Sequence, residues 1–235
     1  MQFEHTSKQY DAELESVRAK VLEMGGLVEQ QIVNALEALI KADIKLAKEV
    51  MENDARVNTL EVQIDEDCSH IIARRQPAAG DLRMVMMMVK TITDLERIGD
   101  EATKIARTAQ RIFDEDRMYK PRFTEINAMV KLVREMLRTS LDAFARLDVS
   151  QTVEVARQDK LVDEQFRAAM RQLVLYMLED PRTISMSLEV LFVAKALERI
   201  GDHAENIAEY VVYMVKGKDV RHSSLQEMER EALQP

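Results

Sequence analysis

Apolar residues recur at intervals of three and four along most of this chain, the spacing of one face of an α-helix rather than of a strand. Leu14, Val17, Val21, Leu22 and Met24 open the pattern, and Leu27, Val28, Ile32, Leu36, Leu39 and Ile40 continue it. Gly25-Gly26 falls in the middle and predicts a kink rather than an end. Asp43 is placed to cap a second helix through Leu46, Val50, Val57, Leu60, Ile64, Cys68, Ile71 and Ile72, and Pro77 to Gly80 supplies its stop. A third helix is expected from about Asp81 to near Asp116. Pro121 resets the chain, and three further helices follow, over about 123–147, 150–178 and 184–215. Asp180-Pro181 breaks the last two apart, Gly217 caps the last, and the polar tail to Pro235 reads as a short or frayed helix.

The second half of this pattern repeats the first. Ala35 to Asp43 (ALEALIKAD) lies over Ser140 to Asp148 (SLDAFARLD), and in the same register Met24, Leu27, Val28 and Asp54 meet Met129, Leu132, Val133 and Asp159. A thirteen-residue phrase starting at Asp94 (DLERIGDEATKIA) returns from Ala196 (ALERIGDHAENIA), after a small deletion near Pro181. Short turns join the helices, so the expected fold is all-α: two tandem three-helix bundles related by pseudo-twofold symmetry. The boundaries follow as 1–118 for the first bundle, 119–217 for the second and 218–235 for the tail.

Composition agrees. Gly (6) and Pro (4) are scarce and Trp is absent, which favours long helices over turn-rich sheets. The fifteen Met residues belong to the apolar stripes; Met84 and Met86 to Met88 read as core packing rather than a soft-metal box. A net charge of −9 without a basic stripe argues against nucleic acid and against direct binding to an anionic membrane. Cys68 is single, excluding an internal disulfide and pointing to a reducing compartment. With no signal-peptide pattern at the N-terminus and no apolar run long enough to span a bilayer, a cytoplasmic location is expected.

The repeated phrase carries the candidate chemistry. Glu96/Asp100 in the first copy and Glu198/Asp202 in the second are carboxylate pairs four residues apart, hence on one helix face. Asp159/Asp163 and Glu61/Asp65 share that spacing, and Asp54 matches Asp159. Like charges so placed repel, so each pair needs a compensating cation. Lysine and arginine, or solvent, can supply it; converging faces could instead offer hard oxygen ligands to Mg²⁺, Mn²⁺ or iron, with zinc less favoured. A glycine precedes the second acid in both copies, Gly99 and Gly201, at a cost of about 0.5–1 kcal/mol relative to alanine. It implies close approach of a neighbouring helix or a ligand. Arg97 and Arg199 are expected to bridge to other helices, and His203 to be solvated. The Glu-x-x-His signature of di-iron carboxylate proteins is missing, and no phosphate loop, nucleophile elbow or zinc-type Cys/His cluster is present.

Long phrases of the chain resemble the PhoU family: AELESVRAKVLEMGGLVEQQ (12–31), EVQIDEDCSHIIARRQPAAGDLR (61–83), LERIGDEA (95–102), LDAFARLD (141–148) and LERIGDHAENIAE (197–209). The resemblance implies an all-helical adaptor with metal-binding Glu/Asp-x-x-x-Asp motifs, here Glu96/Asp100 and Glu198/Asp202, with Asp159/Asp163 as a further fit. The matching stretch from Asp54 ends in Asn58, a departure from the motif, and the second half lacks a copy of Asp81-Leu-Arg83. The resemblance also implies a homodimer, and a role as negative regulator of the phosphate regulon and modulator of uptake. It would link the ATPase subunit of a phosphate ABC transporter to a sensor histidine kinase when phosphate is plentiful, reaching the membrane only through these partners. On this reading the chain is not an enzyme. The rival readings are a metal-dependent phosphohydrolase or redox carboxylate protein, and a plain helical scaffold whose acids serve solubility.

Overall fold

The structure, a computed structural model, describes residues 8–114, 123, 126–221, 223 and 225–233. Among the described residues there are seven α-helices, a 3-10 turn at Pro181–Thr183 and no strand. The helices are α1 (Lys8–Lys41), α2 (Ile44–Arg75), α3 (Ala79–Asp114), α4 (Asn127–Arg146), α5 (Ser150–Glu179), α6 (Ile184–Lys216) and α7 (Leu225–Leu233). Their ends follow local chemistry. Asp43 accepts a hydrogen bond from the Leu46 amide at 3.0 Å and so starts α2. Asp180, Pro181 and the turn behind them separate α5 from α6, with the Asp180 carboxylate accepting from the Arg182 amide. Gly217, at φ +70°, ends α6 in the left-handed conformation that glycine adopts without a Cβ penalty. Pro121 and the last residues of the expected third helix lie outside the described residues.

Helices α1, α2 and α3 pack on one another, as do α4, α5 and α6, giving the two three-helix bundles. α3 lies along α6 and α1 also touches α4, so the bundles share one continuous core rather than meeting at a polar seam. Its fully buried side chains include Met24, Ile32 and Ile64 from one half and Met129 and Phe144 from the other. As expected, Gly25-Gly26 does not end the helix, and α1 runs through it. A Cβ on Gly25 would sit 2.7 Å from Leu141 Cδ2, so this glycine lets α4 press against α1. Met87 and Met88 are core as expected, whereas Met86 is 43% exposed. The tail is not frayed over 225–233: Met228 and Val220 pack with Ala156 and Val212 in a small second cluster that fastens α7 to α5 and α6.

Candidate functional site

The acidic phrases fall on α3 and α6, the two helices that pack together between the bundles. Each helix turns its carboxylate pair toward the second helix of its own bundle. Its other polar residues go to the partner helix.

In the first bundle, Glu96 and Asp100 on α3 lie near Asp54 and Glu61 on α2. Burial, reinforced by the charges of Asp100, Glu61 and Asp54, pushes the Glu96 pKa up; burial, with Asp65 and Asp100, raises that of Glu61. A Cβ on Gly99 would lie 3.1 Å from Gln31 Oε1 and 3.6 Å from Asp54 Oδ1, so this glycine is fixed by the close approach of α1 and α2. Asp54 is well supported: Thr103 Oγ1 donates to it at 3.2 Å, and the Gln31 and Asn58 amides at 3.4 Å. Gln31 is itself buried, and its Oε1 has no donor among the described residues. Among the described residues Arg97 forms no ion pair with another helix, although its charge acts on Glu61 of α2. It lies across its own pair, Nε 3.5 Å from Glu96 and Nη1 3.8 Å from Asp100, because the i, i+3 geometry of a helix puts Asp100 within its reach.

The second bundle is more acidic at the equivalent place. Asp159 and Asp163 on α5 face Glu198 and Asp202 on α6, and two further α6 acids, Glu205 and Glu209, extend the stripe. Burial, then the neighbouring Asp202, Asp163 and Glu198 charges, pushes Asp159 above the usual carboxylate range. Burial and the Asp159 charge raise Glu205 as well, and a hydrogen bond between the two carboxyls means that the pair shares a proton. Asp202 is raised by burial and Glu198. Glu209 is pushed up to about 7 by burial and then by Asp219. Countercharge is thin: Lys195 pairs with Glu198, and Arg167 Nη2 reaches Asp163 at 2.9 Å. Gly201 is in ordinary contact with its neighbours, Asp159 Oδ1 at 3.7 Å among them.

The six sequence-predicted ligands therefore gather as two groups, Glu96 and Asp100 in one bundle and Glu198, Asp202, Asp159 and Asp163 in the other. As the side chains are placed, no three His, Cys, Asp or Glu residues among the described ones form a ready-made metal cage. What the donor set offers is hard carboxylate oxygen, crowded, partly buried and short of cations, which suits a hard divalent ion. Asp54 and Glu61 join the first group through tertiary packing. Glu205 stands where the first copy of the phrase has Thr103, and Glu209 lies beyond the phrase, so neither is marked by duplication. Both continue the Glu198/Asp202 stripe at helical spacing, and that was the available signal.

Between the bundles the polar residues of α3 and α6 interlock. Arg199 Nη1 meets buried Glu101 Oε1 at 2.7 Å, the inter-helix bridge expected of Arg199, and Lys104 Nζ reaches the same oxygen at 2.9 Å. His203 is not solvated: its Nδ1 is 2.6 Å from Asp94 Oδ1, and Asn206 donates to that oxygen at 3.1 Å. The α3–α6 contact encloses the imidazole, a placement that sequence spacing could not show.

Comparison with known proteins agrees with this architecture. The PhoU domain model matches residues 21–109 and 126–211, one stretch in each bundle. The chain is 51% identical over 228 residues to the phosphate-specific transport system accessory protein PhoU homolog of Pseudomonas putida, covering 97% of this chain and 88% of that one. It is 48% identical over 226 residues to the phosphate-specific transport system accessory protein PhoU of Escherichia coli K12, covering 96% and 93%. The crystal structure of PhoU from Pseudomonas aeruginosa superimposes with a TM-score of 0.85 at 49% identity, over 89% of this chain and 100% of that one. The crystal structure of the phosphate transport system regulatory protein PhoU from Streptococcus pneumoniae gives 0.82 at 28% identity, over 90% and 99%. With a family model matched in both bundles and relatives near half-identical along almost the whole length, the chain belongs to the PhoU family.

Proposed function

We propose that this protein is a non-enzymatic adaptor that restrains phosphate uptake and represses the phosphate regulon when phosphate is plentiful. A phosphate-transport accessory and regulatory role follows from its near half-identical relatives. The finer reading is that it links the ATPase subunit of a phosphate ABC transporter to a sensor histidine kinase, acting in the cytoplasm as a homodimer. Among the described residues no helix is long and apolar enough to cross a membrane, which accords with membrane contact through partners alone.

The acidic faces are read as metal sites, Glu96 and Asp100 with Asp54 and Glu61 on one, Glu198, Asp202, Asp159 and Asp163 on the other. The observation in favour is the crowding of carboxylates whose pKa values are raised by partial burial and by one another's charges. A bound Mg²⁺, Mn²⁺ or iron ion, or less favourably Zn²⁺, would supply the missing positive charge. The carboxylates would then tie α2 to α3 and α5 to α6.

Deleting the gene and measuring a phosphatase reporter in high phosphate tests the regulatory role: constitutive expression is expected, and unchanged expression would overturn it. Calorimetry with Mn²⁺ tests the metal reading separately. Glu96→Gln and Glu198→Gln should each weaken binding, and equal binding by wild type and a variant lacking Glu96, Asp100, Glu198 and Asp202 would remove these faces from the account. Turnover of phosphate esters by metal-loaded protein, abolished by Asp100→Asn, would instead favour the enzyme reading.

A further inference from the structure

A cleft of ≈ 320 Å³ opens between the N-terminal turns of α3, the C-terminal turns of α6 and the segment that leads to α7. Arg83, Lys90 and Arg221 line it, a concentration of positive charge in a chain whose net charge is −9. Tyr210 and Tyr213 of α6 and Met86 of α3 also line it.

The three cations are not equally committed. Arg221 is forked onto Asp219, Nε 2.9 Å from Oδ1 and Nη2 2.5 Å from Oδ2. Lys90 Nζ stands 5.6 Å from the centroid of the Tyr210 ring and makes no carboxylate ion pair among the described residues. Arg83 makes none either, and its Nε is buried without an acceptor. Its guanidinium carbon lies 3.4 Å from the position a Cβ on Gly217 would take, so the end of α6 fixes the fork in place. Asp219 and Glu209 are the acids that line the cleft, against three cations, and burial raises the Glu209 pKa. The cleft is thus net positive.

A guanidinium fork matches two oxygens of a phosphoryl group, an ammonium serves as a second point charge, and tyrosine faces accept a flat ring. The enclosed volume falls at the lower end of the range of about 300–1,000 Å³ usual for small-molecule sites. We propose that this cleft binds a small phosphorylated aromatic molecule of the nucleoside mono- or diphosphate class, its phosphoryl oxygens on Arg83 and Lys90 and its ring against Tyr210 or Tyr213. The ligand would touch α3 of the first bundle and α6 of the second, and so bias how the bundles sit on each other. The site is distinct from the acidic faces and does not rest on the metal reading.

Calorimetry of the full-length protein in EDTA, titrated in turn with AMP, ADP, adenosine and orthophosphate, tests the proposal apart from any metal effect. AMP or ADP should saturate with a Kd of about 10–100 μM, with adenosine and orthophosphate at least about tenfold weaker. Arg83→Gln and Lys90→Gln should each weaken binding about tenfold, and Arg83→Lys should recover part of the loss. Should Arg83→Gln fail to fold, Lys90→Gln decides. The proposal is overturned if neither nucleotide saturates below about 1 mM, if both charge variants bind like wild type, or if orthophosphate alone binds as tightly as AMP.

Discussion

At the residue scale, the informative contrast is how each bundle satisfies its central aspartate. Asp54 accepts from the Thr103 hydroxyl; the matching Asp159 is hydrogen-bonded to Glu205, which requires one proton between the two carboxyls. That shared proton does the work of a hydroxyl hydrogen. The raised pKa has a defined consequence for stability. From the ordinary glutamate value of 4.5 up to the raised range in which the pair gives up its proton, the folded state binds more protons than the unfolded chain. Stability is therefore fully present below that window and is lost as pH rises through it. Thermal unfolding of metal-free protein should show a falling midpoint between about pH 5 and 8, and Glu205→Gln should flatten the profile and raise the midpoint at pH 8. A Glu205→Gln profile as steep as wild type would sink the shared-proton account. Glu205 itself was visible in the sequence as an acid one turn past Asp202. That it is half-buried beside Asp159 was not, because its surroundings are set by α5.

At the element scale, helix starts and stops are written locally. Asp43, Asp180-Pro181 and Gly217 act on backbone groups within a few residues of themselves, so their roles can be read without knowing the fold. Gly25-Gly26 shows the limit of such reading. Both residues carry the same helix penalty, yet their surroundings differ. Gly26 is exposed, with nothing within 4 Å of where a methyl group would stand, while Gly25 is pressed by Leu141 from the other bundle. Gly26→Ala should therefore stabilise the protein by about 0.5–1 kcal/mol. Gly25→Ala should gain less or lose stability, since Leu141 must give way. Equilibrium urea unfolding of the two variants checks the contrast, and equal gains would mean that α4 is not held tightly against α1. The tail is a second case. Its apolar residues are too few to announce a partner, and only the patch of Ala156 and Val212 gives them one.

At the scale of the whole molecule, the bundles are joined along α3 and α6 by apolar packing and by polar contacts, among them Glu101 with Arg199, Asp94 with His203 and Arg111 with Glu189. Glu101 is the most exposed to loss, because its side chain is only 4% accessible and a buried carboxylate without its partner is costly. Arg199→Met should lower stability by about 1–3 kcal/mol, the remaining Lys104 contact and the partial exposure of Arg199 keeping it below the cost of a fully buried pair. Adding Glu101→Leu should restore much of that loss in a double-mutant cycle. Simple additivity of the two changes would show that the pair does not couple the bundles.

The order of strong influences along the chain explains what could be read early. Helical periodicity, end signals and the internal repeat are properties of neighbours in sequence, so the amino-acid order alone determined six long helices, their pairing into two bundles and the two carboxylate pairs. Which acids meet, which arginine turns back on its own pair, where His203 is enclosed and where Arg83 is left without an acceptor depend on helices brought together from distant parts of the chain. Those outcomes belong to the tertiary structure, because burial and charge proximity act through space rather than along the backbone.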